Sequence, residues 1–251
     1  MPQDRQPIIE FRHVRKSFED KVILEDVSFT VYTGDVFCII GGSGTGKSVT
    51  LKLLLGLMPV DSGEILFQGK LITEMSELEL NRIRVHFGMV FQGSALFDSM
   101  NVFDNVAYPL HEQDELTDEV IEQRVLEKLD VVGLKDAVDI FPADLSGGMK
   151  KRIGLARAIA TNPQVILYDE PTAGLDPANV KRIDNLIRNL QSKFKVTSIL
   201  VTHNMESVYH VADRVALLFN KQIEFLGSLE EFKNTDNKLV RQFVSGDLGH
   251  E

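Results

Sequence analysis

Eight consecutive residues near the start of the chain have the types and spacing needed to hold a phosphate chain. Residues 41–48 read GGSGTGKS, which fits the pattern G-x-x-x-x-G-K-[ST], and the apolar run VFCII precedes them. Backbone N–H groups can converge on phosphate oxygens only where side chains do not obstruct them, which explains the glycines. A purely structural glycine-rich turn is the alternative, and the predicted strand before and helix after the pattern argue against it. The residues predicted to contact the phosphates are Gly41, Gly42, Ser43, Gly44, Thr45, Gly46, Lys47, Ser48 and Val49.

The last two residues of the pattern have separate predicted tasks. We expect Lys47 to reach the β- and γ-phosphates of a nucleotide, and Ser48 to offer its hydroxyl to Mg²⁺. The positive end of the helix that follows adds to the attraction for phosphate.

Two adjacent acids follow a second apolar run, in the stretch VILYDEP at 165–171. Neighbouring side chains in a strand point to opposite faces, but at the end of a strand both can reach the crevice where open α/β sheets bind ligands. Asp169 is therefore a candidate for Mg²⁺, bound directly or in its second shell, and Glu170 for polarising an attacking water. An exposed acidic turn is the alternative, and it would not need four apolar residues before it.

Composition and charge indicate a globular protein and argue against a nucleic-acid binder. With 43% hydrophobic and 25% charged residues, the 251-residue chain is an ordinary globular one. The formal net charge of −10 argues against a nucleic-acid binder, and the basic run KKR at 150–152 is expected to be a solvated helix face. The single cysteine, Cys38, is predicted in a buried strand, and one cysteine cannot form a disulfide within the chain, which fits a reducing compartment. Neither a signal peptide nor a membrane-spanning run is found, so we expect a cytoplasmic protein.

Strand and helix patterns alternate along the chain, which predicts an α/β fold with a mainly parallel central sheet. The middle, from about Asn101 to Ala160, is expected to be helical throughout, with Thr117 as an N-cap and Ile121, Val125 and Leu129 on one buried face. The predicted strands are 7–14, 22–31, 36–40, 64–69, 87–93, 165–168, 197–202, 215–219 and 222–226, and the other predicted helices are 46–58 and 229–244.

Four further stretches, in a fixed order, carry a resemblance to a known family. The stretch LSGGMKKR at 145–152 resembles the LSGGQ signature of the ABC-type ATPases, and it stands about 20 residues before VILYDEP, as in that family. FQGS at 91–94 resembles the Q-loop, AGLD at 173–176 the D-loop, and VTHN at 201–204 the switch-histidine segment. The resemblance implies a P-loop ABC ATPase fold with an N-terminal antiparallel β-subdomain. It also implies one domain over 1–251, in which 1–92 and 161–251 form a RecA-like core and 93–160 a helical subdomain.

The resemblance also assigns roles to residues at the matching positions. Phe18 would stack on the adenine of ATP, with a core phenylalanine as the alternative, and Gln92 would touch Mg²⁺ and the attacking water. His203 would bond the γ-phosphate and act in catalysis with Glu170, Gln92 and Lys47. Across a homodimer, the partner's signature would close on the γ-phosphate, with Asp176 at the seam. The signature residues concerned are Ser146, Gly147 and Gly148.

Two residues depart from the family pattern. Met149 replaces the usual glutamine of the signature, and Asn204 replaces a common aspartate after the histidine. Neither touches the phosphate chemistry directly. We therefore expect ATP hydrolysis to survive and nucleotide affinity to be the property affected.

The segment GSALFDSMNVFDNVAYPL, 93–110, is similar to the ATP-binding subunits of MCE-associated lipid transporters, the group that contains the Mla system. That resemblance implies an ATPase on the cytoplasmic face of the inner membrane, docked on an MlaE-like permease, with MCE and small STAS-type partners. Its task would be to move phospholipids between inner and outer membrane and so maintain outer-membrane lipid asymmetry. Some apolar residues of the segment are expected to form a groove for a permease helix and others to pack in the core. They are Leu96, Phe97, Met100, Phe103 and Tyr108.

Three other functions are alternatives to this one. An importer ATPase for amino acids or metal ions would share the motor but carry a different cargo. A soluble ABC ATPase of DNA repair or translation would need a long coiled-coil insertion or tandem cassettes, and this chain shows neither. A P-loop kinase has no use for an LSGG segment.

Overall fold

A four-stranded antiparallel sheet contains the first strands of the chain. The computed structural model describes residues 6–113 and 116–247. The strands β1 (Pro7–Phe18), β2 (Lys21–Tyr32), β4 (Ser62–Phe67) and β5 (Lys70–Leu71) are arranged in the order β2-β1-β4-β5. Phe11 of β1 lies opposite Phe29 of β2, and their rings stack with centroids 4.4 Å apart. The predicted antiparallel β-subdomain is therefore present, with β1 and β2 longer than predicted.

The second sheet has six strands in the order β10-β9-β3-β8-β7-β6, and β10 alone is antiparallel to its neighbour. The bounds are β3 Val36–Ile40, β6 Phe87–Val90, β7 Val165–Asp169, β8 Thr197–Thr202, β9 Arg214–Phe219 and β10 Gln222–Ser228. Phe37 and Ile39 of β3 face the antiparallel sheet, whereas Cys38 and Ile40 face the helices, so the strand is buried on both sides. The predicted parallel centre and the buried Cys38 are both observed.

Nine α-helices are found in the two described ranges. They are α1 Lys47–Leu54, α2 Glu77–Arg84, α3 Val102–His111, α4 Asp118–Val131, α5 Gly147–Ile159, α6 Pro177–Phe194, α7 Met205–Val211, α8 Leu229–Asn234 and α9 Lys238–Ser245. None of the helices in these ranges combines the length and the apolar character needed to cross a bilayer.

The prediction of continuous helix from 101 to 160 is wrong. The segment contains α3, α4 and α5, separated by loops and by 3₁₀ turns at Lys135–Ala137 and Pro142–Asp144. Gly133, at φ +66°, ends α4 in the left-handed conformation that glycine favours. Thr117 is the N-cap of α4, and Ile121, Val125 and Leu129 are buried as predicted.

Three other predicted elements also need correction. Helix α1 ends at Leu54 instead of residue 58, because the chain turns at Gly56 with φ +61°. Strand β6 ends at Val90, before the predicted Q-loop. The predicted terminal helix over 229–244 is two helices, α8 and α9, separated at Thr235–Asn237.

The basic run 150–152 is not a solvated face. Lys151 and Arg152 are buried, and Arg152 Nη1 donates to the carbonyl of Val132 at 2.8 Å. Each side chain lies where a backbone carbonyl can accept its hydrogen bond, so the helix turns these two charges inward.

One buried amide organises the loop that leads into α3. Asn105 is fully buried, and its Oδ1 accepts a hydrogen bond from the backbone N–H of Phe97 at 2.8 Å. Its Nδ2 lies 3.1, 3.0 and 2.9 Å from the carbonyl oxygens of Phe97, Met100 and Asn101. The loop over 97–101 thus depends on one side chain for its shape.

Asn105→Ala should lower the free energy of unfolding by about 2–4 kcal/mol, because part-buried backbone groups of the loop lose their hydrogen bonds to a fully buried amide. Urea denaturation followed by circular dichroism measures the change. The matched control is Asn189→Ala on the exposed side of α6, which should shift stability by no more than about 0.5 kcal/mol. Equal effects of the two variants would contradict the role given to Asn105.

Candidate nucleotide-binding site

The loop between β3 and α1 has the glycine geometry that a phosphate cradle requires. Gly46 has φ +104°, and a Cβ there would lie 2.9 Å from side-chain carbons of Ile23 and Leu24. A Cβ on Gly41 would overlap the carbonyl oxygen of Leu218. Only glycine fits at either position, so the backbone of β9 and the side chains of β2 fix the shape of the loop.

Lys47 is the first residue of α1 and is buried beneath the loop. Its Nζ donates to the carbonyl oxygens of Gly41 at 2.9 Å and Gly42 at 2.8 Å. The same Nζ lies 3.7 Å from Oε1 of Glu170. Burial lowers the pKa of Lys47, and the carboxylate of Glu170 acts in the opposite direction.

Ser48 and Asp169 meet across the carboxyl edge of the parallel sheet. Ser48 Oγ donates to Asp169 Oδ1 at 2.7 Å, which joins the start of α1 to the end of β7. A hydroxyl and a carboxylate are donors that suit Mg²⁺, which usually takes one or two protein ligands together with substrate phosphates and waters. The described part of the chain holds no group of three His, Cys, Asp or Glu side chains that could bind a metal by themselves. The donor set therefore fits a Mg²⁺ ion that arrives with a nucleotide.

Thr202 at the end of β8 and His203 just after it hold Glu170 in place. Its Oε1 lies 2.9 Å from Nδ1 of His203, and its Oε2 accepts from Oγ1 of Thr202 at 3.1 Å. Glu170 itself has φ +47°, a left-handed backbone that is uncommon outside glycine and often marks functional sites. Thr202 was not predicted. The sequence feature that could have indicated Thr202 is a hydroxyl at the last position of TSILVT, a fully buried strand.

Gln92 and Phe18, two further predicted site residues, are both exposed. Gln92 is exposed just after β6, and its carbonyl oxygen accepts a hydrogen bond from Lys151 Nζ. Phe18 is 44% exposed at the end of β1, so the alternative of a core phenylalanine is wrong. Its ring lines an open cleft of about 500 Å³, with Lys221 on another side.

The signature residues lie at the start of helix α5, where Ser146 and Gly147 are open to solvent. Ser146 is the N-cap, and its Oγ accepts from the backbone N–H of Met149 at 3.3 Å. Gly147 is exposed, whereas Gly148 is buried, and a Cβ on it would lie 2.6 Å from Oδ1 of Asn179. No hydrogen bond joins 146–148 to the phosphate loop in the described part of this chain.

Asp176 caps the neighbouring helix α6. Its Oδ1 accepts from the backbone N–H groups of Ala178 and Asn179, each at 3.0 Å, and its Oδ2 accepts from Asn179 Nδ2 at 2.6 Å. The bonds from Asn179 and Ala178 hold the pKa of Asp176 below its usual range. Asn179 therefore contacts both Asp176 and Gly148, which fixes the D-loop segment against the signature.

Asn204, the second departure from the family pattern, has a structural task. Its Oδ1 accepts from the backbone N–H of Ser207 at 3.1 Å and so caps helix α7. Asparagine serves as well as aspartate for an N-cap, which accounts for the substitution.

Comparison with known proteins gives consistent results. The family described as ABC transporter matches residues 24–173, more than half of the chain. The Escherichia coli (strain K12) intermembrane phospholipid transport system ATP-binding protein MlaF is 40% identical over 246 residues, which cover 98% of this chain and 91% of that protein. The probable ribonucleotide transport ATP-binding protein mkl of Mycobacterium leprae is 43% identical over 95% of this chain. The chain spans about two thirds of the length of the mycobacterial relatives.

Among solved structures, the ATP-binding cassette MJ0796, as a dimer in a post-hydrolysis state bound to ADP and Pi, has a TM-score of 0.81 and 29% identity. The match covers 88% of this chain and 99% of that one. The fold and the family predicted from the motifs are confirmed.

Replacing Lys47 tests the cradle directly. Lys47→Ala should weaken MgATP binding at least about tenfold, because the buried ammonium that is predicted to reach the phosphates is lost. Titration calorimetry measures the affinity. Lys52→Ala, at an exposed position on the same helix, is the matched control and should bind as the wild type does. An unchanged affinity in Lys47→Ala would remove this residue from the binding site.

Proposed function

The chain belongs to the ABC transporter family, and we propose that it uses ATP hydrolysis to drive the movement of phospholipids between two membranes. The observation that supports phospholipid as the cargo is the match to the phospholipid transport protein MlaF, which extends over nearly the whole of both chains. The mycobacterial relatives carry the name of a ribonucleotide transporter, but the chain spans only about two thirds of their length. Ribonucleotides are therefore the second candidate cargo.

The binding step follows from the geometry of the phosphate loop. Its N–H groups and the start of α1 provide a positive field for the triphosphate. Lys47 lies where it can exchange its carbonyl partners, Gly41 and Gly42, for phosphate oxygens. Phe18, exposed beside a cleft of about 500 Å³, offers an aromatic face for the adenine.

Ser48 and Asp169 would hold Mg²⁺. Bound there, the ion would neutralise charge on the β- and γ-phosphates. Gln92, which follows β6 at the same edge of the sheet, is proposed to reach toward the ion and the attacking water.

Glu170 is proposed to orient and polarise the attacking water. Lys47 Nζ lies 3.7 Å from its Oε1, and Thr202 donates a hydrogen bond to its Oε2, so the orientation of the carboxylate is held. His203 Nδ1 is engaged with Glu170, which leaves Nε2 for the terminal phosphate. His203 would in this way link the carboxylate to the phosphate.

We assign the second half of each site to a partner copy of the chain. Ser146 and Gly147 are exposed at the start of a helix, where N–H groups attract anions, and among the described residues no hydrogen bond joins them to their own phosphate loop. The dimeric state of the MJ0796 cassette supports this arrangement. ATP would then join two chains, with Asp176 at the seam, and hydrolysis would remove the charge that holds them.

The segment after Gln92 is the proposed contact with an MlaE-like permease. The rings of Phe97 and Tyr108 are 41% and 40% exposed, and their centroids lie 4.8 Å apart. Leu96 and Phe103, by contrast, pack against the core. The exposed pair would receive a short helix from the permease on the cytoplasmic face of the inner membrane, with MCE and STAS-type subunits in the same complex.

Glu170→Gln should reduce ATP hydrolysis by about 10²-fold or more while keeping ATP bound, because the base is lost and the cradle is intact. With MgATP the variant should elute as a dimer in size-exclusion chromatography with light scattering. Glu206→Gln, an exposed acid on α7, is the control and should hydrolyse ATP normally. Near wild-type turnover in Glu170→Gln would exclude it from the mechanism.

The cargo is tested by purifying the tagged chain from detergent-extracted membranes of its own host. Mass spectrometry should find a polytopic membrane protein and enriched phospholipid in the preparation. A deletion strain should keep ribonucleotide uptake and show an altered phospholipid content in its outer membrane. Recovery of the chain solely as a soluble monomer would contradict the transporter assignment, and loss of ribonucleotide uptake would favour the second cargo.

A further inference from the structure

Three residues on one face of α5, the helix that begins with the signature, contact the backbone that follows β6. Lys151 Nζ donates to the carbonyl oxygen of Gln92, and the two Nη atoms of Arg157 donate to those of Ser94 at 3.0 Å and Ala95 at 2.8 Å. Between them, Gly154 lies so close that a Cβ there would be 3.3 Å from the carbonyl oxygen of Ser94. The spacing of three residues places all three on the same face of α5.

The contacted segment, residues 92–95, has an unusual backbone conformation. Ser94 and Ala95 have φ values of +63° and +48°, although neither is glycine. The N–H of Ser94 donates to the carbonyl of Phe91 at 3.0 Å and closes a turn over Gln92. Contacts from outside the segment must stabilise such a conformation, and those from α5 do so.

Among the three residues of α5 that contact this segment, Lys151 carries a charge that needs an explanation. It is buried, and it lines a small internal space together with Val90 at the end of β6 and Tyr168 near the end of β7. Burial lowers the pKa of Lys151, and the carboxylates of Asp169 and Glu170 oppose that effect. An apolar side chain of similar length would fill the same space without the cost of removing an ammonium from water. Packing alone therefore does not account for a lysine here.

We propose that Lys151 is a positioning residue that ties the signature helix to the backbone of Gln92. A nucleotide that draws Gln92 toward the phosphates would then move α5, and with it Ser146, five residues along the same rigid helix. The proposal rests on the role assigned to Gln92 in the proposed function.

The test compares Lys151→Met, which keeps the length and removes the charge and the donor, with Lys151→Arg, which keeps both. Lys150→Met is the matched control, because Lys150 is the neighbouring, half-buried lysine and has no bond to the segment. Each protein is measured for melting temperature, for exchange of the Ser94 amide hydrogen by NMR without nucleotide, and for kcat and KM of ATP hydrolysis.

We expect Lys151→Met to melt within about 2 °C of the wild type, since a buried charge is replaced by an apolar side chain. Exchange at Ser94 should accelerate about tenfold, because the turn over Gln92 loses its tether. The kcat should fall about tenfold with KM changed less than about threefold, since the effect is on closure of the site and not on the cradle. Lys151→Arg should restore slow exchange and most of kcat, and Lys150→Met should match the wild type.

Unchanged exchange at Ser94 in Lys151→Met would show that Lys151 does not hold the backbone of Gln92 in place. Faster exchange with a normal kcat would show that this contact has no effect on ATP hydrolysis, and either result would overturn the proposal. A loss of kcat that accompanies a large fall in melting temperature, without recovery in Lys151→Arg, would reduce Lys151 to a structural residue and also refute the proposal. Failure of the role given to Gln92 is seen separately, as wild-type kcat and KM in Gln92→Ala.

Discussion

The contact between one buried cation and one buried carboxylate organises the site. Lys47 and Glu170 come from different strand–helix units, and they meet because β3, β8 and β7 are adjacent parallel strands whose carboxyl ends share an edge. The backbone of the phosphate loop and the hydroxyl of Thr202 satisfy the remaining polar atoms of the pair. Because neither group could be buried alone at low cost, the sheet order and the chemistry of the site depend on each other.

The sequence predicted most of the central sheet and the site because these parts follow local rules. A buried parallel strand such as VFCII is apolar at every position, and a phosphate loop needs its glycines in order. Helix α2 was missed because its stretch, ELELNRIR, buries only Leu80 and so shows little apolar periodicity. The breaks between α3, α4 and α5 and the burial of Lys151 depend on tertiary contacts, which sequence periodicity does not report.

The structure divides the functional residues between a buried group and an exposed one. Lys47 and Glu170 lie in the interior, with most of their partners in the same chain. Ser146 and Gly147, in contrast, face solvent at a helix start. Folding of one chain places the first group, whereas the second group is proposed to act only when a partner copy binds. In the proposed function, this division separates residues that would bind the nucleotide from residues that would respond to its presence.

The close contact at Gly148 has a mechanical consequence. A hydrogen atom is all that the space beside Asn179 admits, and Asn179 is bonded in turn to Asp176. Any side chain at residue 148 would therefore push the tips of α5 and α6 apart. Because Ser146 and Asp176 lie at these two tips, this one contact sets the distance between them. In a dimer of the proposed kind, the same spacing would have to match both the bound phosphate and the neighbouring chain.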